Sequence, residues 1–249
     1  LIETMGNILI SGASSGIGAA LARAYAAAGV RLVLWGRNSE RLEAVASDCR
    51  ARGAATATSC FDLTDLPALN AALAAAGPIE LAIFNAGLGG SLPHDAIAQD
   101  SAATERMATV NFTAPAIGAN VMADRMGKNG GGQIVLIGSV AAMFPLPMAP
   151  VYSGSKAGLA MFADALDARV RRRGVRVSLV SPGFVDTPMS QGLKEPRPFL
   201  IDADRAAAII RKKVAHGARH IVLPWPFAVI AVLAGFIPKR IVRAVLSAF

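Results

Sequence analysis

Tyr152 and Lys156 stand four apart in the run Tyr-Ser-Gly-Ser-Lys, at the predicted start of a helix, which puts both side chains on one face. A phenol ordinarily titrates near pH ~10. An ammonium beside it favours the phenolate and lowers that value, making the tyrosine a usable acid and base near neutrality. Ser139 follows the apolar run Gln133–Ile137, which places it at the carboxyl edge of a strand, where open α/β sheets bind ligands. A Tyr-x-x-x-Lys pair is common by chance. This one uses one of only two tyrosines in the chain and lies downstream of a glycine-rich turn.

That turn is Ser11-Gly12-Ala13-Ser14-Ser15-Gly16-Ile17-Gly18, between the first predicted strand and the first predicted helix. Without Cβ atoms the backbone turns sharply and approaches a pyrophosphate, while free N–H groups at the helix start face the anion. The spacing is G-x-x-x-G-x-G, not the G-x-G-x-x-G of many dinucleotide sites. The second strand ends in Leu34-Trp35-Gly36-Arg37-Asn38. Sites for NAD carry an acid there, about 20 residues past the glycines, for the ribose 2′-hydroxyl. Arg37 instead offers a guanidinium to a 2′-phosphate, with Asn38 and Arg41 as helpers. NADP is therefore favoured over NAD, although an ordinary surface arginine also fits the position.

The elements that must hold these residues alternate regularly. Strands are predicted at Asn7–Ile10, Arg31–Trp35, Ala55–Cys60, Leu81–Phe84, Gln133–Ile137, Arg176–Val180 and His220–Leu223. Helices are predicted at Ile17–Ala28, Glu40–Arg52, Leu66–Ala76, Ser101–Met126, Tyr152–Arg173 and Asp202–Ala215, segments rich in good helix formers. The apolar strands do not alternate in polarity, so they are expected to be buried on both faces. The pattern predicts one α/β domain: a Rossmann-like, doubly wound parallel sheet of about seven strands with helices on both faces. Asp186–Leu200 contains three prolines and reads as a mobile loop after the sixth strand.

Composition narrows the function classes. The 249 residues are 53% hydrophobic and 17% charged, with mean hydropathy +0.46, which excludes general disorder. Cys49 and Cys60 alone cannot form a disulfide scaffold, and no Cys/His spacing suggests a metal; His94, His216 and His220 are scattered. The first 30 residues lack a leader pattern, so a cytoplasmic protein is expected, with Leu1–Thr4 outside the fold. Charge is uneven: residues 1–168 carry 10 basic and 13 acidic side chains, residues 169–249 carry 15 and 4. The basic final third suits an anionic partner or a solvated cationic face. Its arginines at 169, 171, 172 and 173 lack interleaved aromatics, so nucleic acid is not expected.

After the last predicted strand comes Pro224-Trp225-Pro226, an apolar run Phe227–Ile237, and then Pro238-Lys239-Arg240. Eleven apolar residues span about 16 Å as helix, half of a ~30 Å hydrocarbon core, so a single crossing is excluded. Beyond Pro238, Ile241, Val242, Val245, Leu246 and Phe249 recur at helical spacing. Packing over a pocket, a subunit contact and peripheral contact with an anionic membrane all fit this tail.

Taken together, the chain resembles a short-chain dehydrogenase/reductase over about residues 6–223, with 224–249 as a C-terminal extension of the same domain. The resemblance rests on Gly12/Gly16/Gly18, Asp62, Asn85-Ala86-Gly87, Asn111, Ser139, Tyr152-x-x-x-Lys156, and Pro182-Gly183 followed by Thr187, with 13 residues from Ser139 to Tyr152. It implies that Tyr152 exchanges the proton on the substrate oxygen. Lys156 lowers the tyrosine's pKa and holds the nicotinamide ribose. Ser139 bonds the carbonyl oxygen, and Asn111 positions a water linking Lys156 to solvent, its plainer role being that of a cap or kink beside Pro115. Gly12, Ser14, Ser15, Gly16, Ile17 and Gly18 hold the pyrophosphate. Asp62 and Leu63 contact the adenine, Asn85, Ala86 and Gly87 line the ribose, and Pro182, Gly183, Val185 and Thr187 close over the nicotinamide.

The expected function is NADP(H)-dependent hydride transfer on a carbonyl or secondary alcohol. Pocket walls are expected from Gly87–Pro93, Ala141–Val151 and Asp186–Leu200, where Leu88, Leu92, Met143, Phe144, Leu146, Met148 and Met189 suggest an apolar substrate. The family commonly pairs subunits through the helices bearing Asn111 and Tyr152, which implies a homodimer, or a tetramer. The alternative is a non-catalytic dinucleotide-binding regulatory or scaffold protein, which would need no Ser139/Tyr152/Lys156 set.

Overall fold

Seven short parallel strands carry the chain's apolar runs: β1 (Asn7–Ser11), β2 (Arg31–Gly36), β3 (Ala55–Cys60), β4 (Leu81–Phe84), β5 (Gly132–Ile137), β6 (Val175–Pro182) and β9 (His220–Leu223). The computed structural model describes residues 6–92, 96–192 and 196–235, with side chains through 230. The sheet order is β3-β2-β1-β4-β5-β6-β9. All neighbours are parallel. The winding reverses between β1 and β4, and that crevice is where such sheets take their ligands. The doubly wound architecture read from the sequence is borne out.

Alternation along each strand splits the core into two layers. Ile8 and Ile10 point into one, with α1 (Gly16–Tyr25), α2 (Ser39–Ala51) and α8 (Ala203–Ala215). Leu9 points into the other, with α3 (Leu66–Ala75), α5 (Ala114–Lys128) and α6 (Pro150–Val170). Burial on both faces holds for the central strands but not for β3. This strand is the sheet's edge, and none of its residues is fully buried. Its Ala-Thr-Ala-Thr-Ser-Cys sequence suits a partly wet surface.

Two other elements depart from expectation. The segment Ser101–Met126 is not one regular helix: α4 (Ser101–Ala108) and α5 are joined by a π-helical turn, Thr109–Thr113. The stretch after β6 is not wholly irregular. It forms β7 (Val185–Asp186), a four-residue helix α7 (Pro188–Gln191) and β8 (Ile201–Asp202), with β7 paired to β8. The apolar run after β9 is a helix, α9 (Trp225–Gly235). Residues 1–5, Pro93, His94 and the amphipathic pattern of 239–249 lie outside the described residues. Among the described residues, no helix is long and apolar enough to cross a membrane.

Candidate active site

At the carboxyl edge the glycine turn is bound to the end of β4. The Ser11 hydroxyl accepts from the backbone N–H groups of Asn85 and Ala86, at 3.0 and 3.2 Å. The Asn85 amide donates back to the carbonyls of Ser11 and Gly12, both at 3.2 Å. Gly12 has φ +66°, and a Cβ there would come within 2.8 Å of Ala86 Cα. A Cβ at Gly18 would overlap the Gly12 carbonyl. The turn thus fits only glycine at these two positions. Ser15 caps α1 without a side-chain hydrogen bond, so the first N–H groups of that helix face outward as an anion cradle. A dinucleotide's pyrophosphate fits this arrangement.

The ends of β2 and β3 carry a charge cluster. Asp62 receives Arg106 at 2.8 Å and Arg37 at 3.7 Å, and Arg37 is largely exposed. Burial pulls the Asp62 carboxyl upward, but the Thr64 N–H and hydroxyl together with Arg106 outweigh it and hold the pKa below the usual carboxylate value. Arg37 stands in the open beside the β2 end, at the outer side of this cluster. Asn38 is committed elsewhere: its side chain caps α2 by accepting from Arg41 N at 2.8 Å. Leu63, half-buried, follows Asp62 at the same edge.

Ser139, Tyr152, Lys156 and Asn111 come together beside this cradle. Ser139 is buried and its hydroxyl accepts from Ala141 N at 3.1 Å. Lys156, on α6, is buried and its Nζ donates to the Ile137 carbonyl at 2.9 Å. A Cβ at Gly87 would sit 3.4 Å from both Lys156 Nζ and Asn111 Oδ1, so β4, β5, the π-turn and α6 converge on one point. Asn111 accepts from Leu88 N at 2.7 Å, donates to Leu88 O at 2.9 Å, and donates to Ser155 Oγ at 3.2 Å. Ser155 Oγ in turn donates to the Tyr152 carbonyl at 2.8 Å. The side chain of Asn111 is thus a clamp on the loop after β4, neither a helix cap nor a simple kink.

One sequence expectation is corrected here. Burial pushes the Tyr152 phenol up from its ordinary value, and hydrogen bonding with Ser139 opposes that rise without reversing it. Lys156 is itself shifted, to about 8, because burial disfavours its charged form. One of the three donors of its amine goes to the Ile137 carbonyl. The group that favours the phenolate in this structure is the serine.

The three expected pocket walls also meet. Leu92 N donates to Met148 O at 2.7 Å, joining the first two segments. A Cβ at Gly89 would lie 3.0 Å from Met189, which brings in the third. Thr187 caps α7 and lies against the start of α1, its methyl 3.0 Å from where a Gly16 Cβ would be. Pro182 and Val185 are buried, and Gly183 packs under Phe227 of α9. Sequence reasoning missed Arg106, Thr64 and Ser155. Ser155 was findable, since it lies three residues after Tyr152 on the same helix; Arg106 meets Asp62 across 44 positions and gave no signal. A separate cavity of about 480 Å³ lies toward the amino ends of β6 and β9, away from this edge, and is lined by Asp164, Asp167, Arg171, Arg219 and His220 among others.

Known proteins resemble this chain in sequence and in fold. The family model for short chain dehydrogenases covers residues 6–198. An uncharacterized oxidoreductase of Myxococcus xanthus is 30% identical over 245 residues, 95% of this chain and 94% of that protein. A short-chain dehydrogenase from Sphingobium yanoikuyae, solved in complex with NADPH, superposes with a TM-score of 0.80 at 27% identity, covering 94% of this chain and 97% of that one. The bulky-bulky ketone specific alcohol dehydrogenase from Comamonas testosteroni gives a TM-score of 0.78 at 27% identity, covering 95% and 96%.

Proposed function

The chain belongs to the short-chain dehydrogenase family and is an oxidoreductase of that type, and from this footing we propose that it transfers hydride between NADP(H) and a carbonyl or secondary alcohol of an apolar substrate. The observation that carries this reading is the meeting of Ser139, Tyr152, Lys156 and Asn111 at the carboxyl edge, directly beside the glycine cradle. When bound, the nicotinamide supplies hydride to the carbonyl carbon or takes it back from the alcohol.

The protein's own residues do the rest. The Ser139 hydroxyl donates a hydrogen bond to the substrate oxygen and stabilises the negative charge that develops there. The Tyr152 hydroxyl gives its proton to that oxygen in reduction and removes it in oxidation. A raised phenol pKa suits the donor role, because the proton stays on Tyr152 until an alkoxide-like oxygen is there to take it. Lys156, with a pKa of about 8, holds the ribose hydroxyls and returns a proton toward the tyrosine. Asn111 fixes the loop after β4 and with it the floor of the ribose site. Arg37 selects the 2′-phosphate; the Sphingobium enzyme, which binds NADPH, lends weight to that choice. The ketone specificity of the Comamonas enzyme lends weight to a bulky apolar substrate.

The reading places the protein in the cytoplasm as a homodimer paired through the α4–α5 and α6 face, where Phe112 and Met161 are exposed. Turnover of NADPH and NADH with a panel of apolar ketones and aldehydes tests it. Oxidation of NADPH at a rate well above NADH is expected. Cofactor binding with no turnover on any carbonyl would favour a regulatory protein instead.

A further inference from the structure

Seven of the ten large apolar side chains left exposed among the described residues lie on segments that follow β5, β6 and β9; Ile97, Phe112 and Met161 lie elsewhere. Met143 follows β5, Met189, Phe199 and Leu200 follow β6, and α9 follows β9. All leave the carboxyl ends of parallel strands, so they surround the mouth of the catalytic cleft. On α9, Trp225 is 74% exposed, Val229 46% and Ile230 41%. The helix is fixed to that mouth from the inside. The Phe227 ring takes the space over Gly183 and packs against Phe184 and Phe199 at centroid distances of 6.1 and 5.7 Å.

A soluble surface rarely keeps such a patch without a use. The charge of the chain that follows points to what covers it. After Asp204 the sequence has no acidic residue and eight basic ones, three of them, Lys239, Arg240 and Arg243, directly after the apolar run. An apolar helix followed in sequence by cations with no acidic residue among them complements an anionic lipid surface. In addition, a second copy seated here would shut the cleft, whereas a bilayer would feed it. An eleven-residue helix, too short to span, is long enough to lie in the interface.

We infer that α9 and the rim beside it dock the protein on an anionic bilayer, with the cleft opening toward the lipid and receiving a lipid-borne carbonyl or alcohol. The substrate part of this inference rests on the oxidoreductase reading; the docking part does not. The test is co-sedimentation of the full chain with phosphatidylcholine vesicles, with and without phosphatidylglycerol, in the absence of cofactor and substrate. Pelleting with the anionic vesicles is expected, weakening as salt rises.

Two variants sharpen the test, each with its thermal midpoint compared to the parent. In Trp225→Ser/Val229→Ser/Ile230→Ser, partition should drop tenfold or more. In Lys239→Gln/Arg240→Gln/Arg243→Gln it should drop about fivefold per cation removed, and this variant decides the matter if the first fails to fold. Absence of pelleting with anionic vesicles overturns the inference. So does equal pelleting of parent and both variants, or light scattering in which the apolar variant alone halves the particle mass, which would make this face a subunit contact. Because pelleting is read without turnover, a failed carbonyl screen would sink the oxidoreductase reading and leave the docking result standing.

Discussion

The two sides of the cleft are built on opposite principles. On the nucleotide side, polar groups from different strand ends hold one another: Ser11 with Asn85 and Ala86, Asn111 with Leu88, Lys156 with Ile137. On the substrate side, the groups that reach solvent are apolar, and the contacts beneath them are aromatic. Hydrogen bonds demand fixed distances and angles, so the first side is a rigid mould for a ligand of fixed shape. Apolar contact is non-directional, so the second side tolerates change in sequence and in what it binds. The boundary between the two runs through Ser139 and Tyr152.

Substitution at that boundary has the largest expected effect. Tyr152→Phe removes the transferable proton and leaves the mould intact, so kcat for carbonyl reduction should fall about a thousandfold, within the range for loss of a general acid. The dissociation constant for NADPH, measured by fluorescence titration, should change by less than about threefold, since Phe preserves the ring and removes only one hydroxyl contact. A large loss of NADPH affinity in this variant would mean that the phenol belongs to the nucleotide side and the division is drawn in the wrong place. Arg37→Ala acts wholly within the nucleotide side. Losing a charge-assisted contact to a 2′-phosphate is expected to weaken NADPH by about 10- to 100-fold, and NADH hardly at all. Equal loss for both would show that Arg37 serves the fold and not the phosphate.

The residues that could be read from the sequence are those whose type is dictated by chemistry. Gly12 and Gly18 have no substitute where the backbone passes so close, and a phenol, an amine and a hydroxyl at fixed offsets announce proton transfer. What escaped the reading depends on partners without a side-chain signature. The amine of Lys156 is held by a main-chain carbonyl, which any residue at position 137 would provide, so nothing in the sequence showed that contact. The π-turn at Thr109–Thr113 is five residues long and holds neither Gly nor Pro, so no breaker marks it and α4 and α5 read as one helix. The edge position of β3 was legible in principle from its Thr and Ser residues, and the apolar rule applied to its neighbours obscured it.

The buried amine of Lys156 gives a comparison in which two readouts move in opposite directions. Its folded pKa of about 8 lies below the amine's ordinary value of 10.5. Below pH 8 both folded and unfolded chains carry the charge, and the desolvation cost is fully present. Between those two values the unfolded chain binds the proton that the folded chain has released, so stability from this group rises with pH. An anionic cofactor prefers the charged amine, so its affinity should fall through the same window, by about tenfold between pH 7 and 9 if only the ammonium binds it. Thermal melts and NADPH titrations over that range check both signs. Parallel trends would show that Lys156 is not the group in control.

The smallest effect is expected at the rim of the nucleotide side, where its bonds reach solvent. Arg106→Ala removes the 2.8 Å pair to Asp62, whose partners are 44% and 30% exposed. Exposed pairs of this kind contribute about 0.2–1 kcal/mol, so the midpoint of unfolding should barely move. The Asp62 carboxyl keeps its bonds from Thr64 at 3.0 and 2.9 Å and remains placed for the adenine, while Arg37 becomes its only remaining cation partner among the described residues. Arg37 is then drawn toward the carboxylate and away from a 2′-phosphate, and NADPH should bind about two- to fivefold more weakly, with NADH unaffected. That selectivity separates a positioning role from a structural one: a merely structural arginine would weaken both cofactors alike. Restoring the charge with Arg106→Lys should recover part of the NADPH affinity, because an ammonium still competes for Asp62 but lacks the planar fork of the guanidinium.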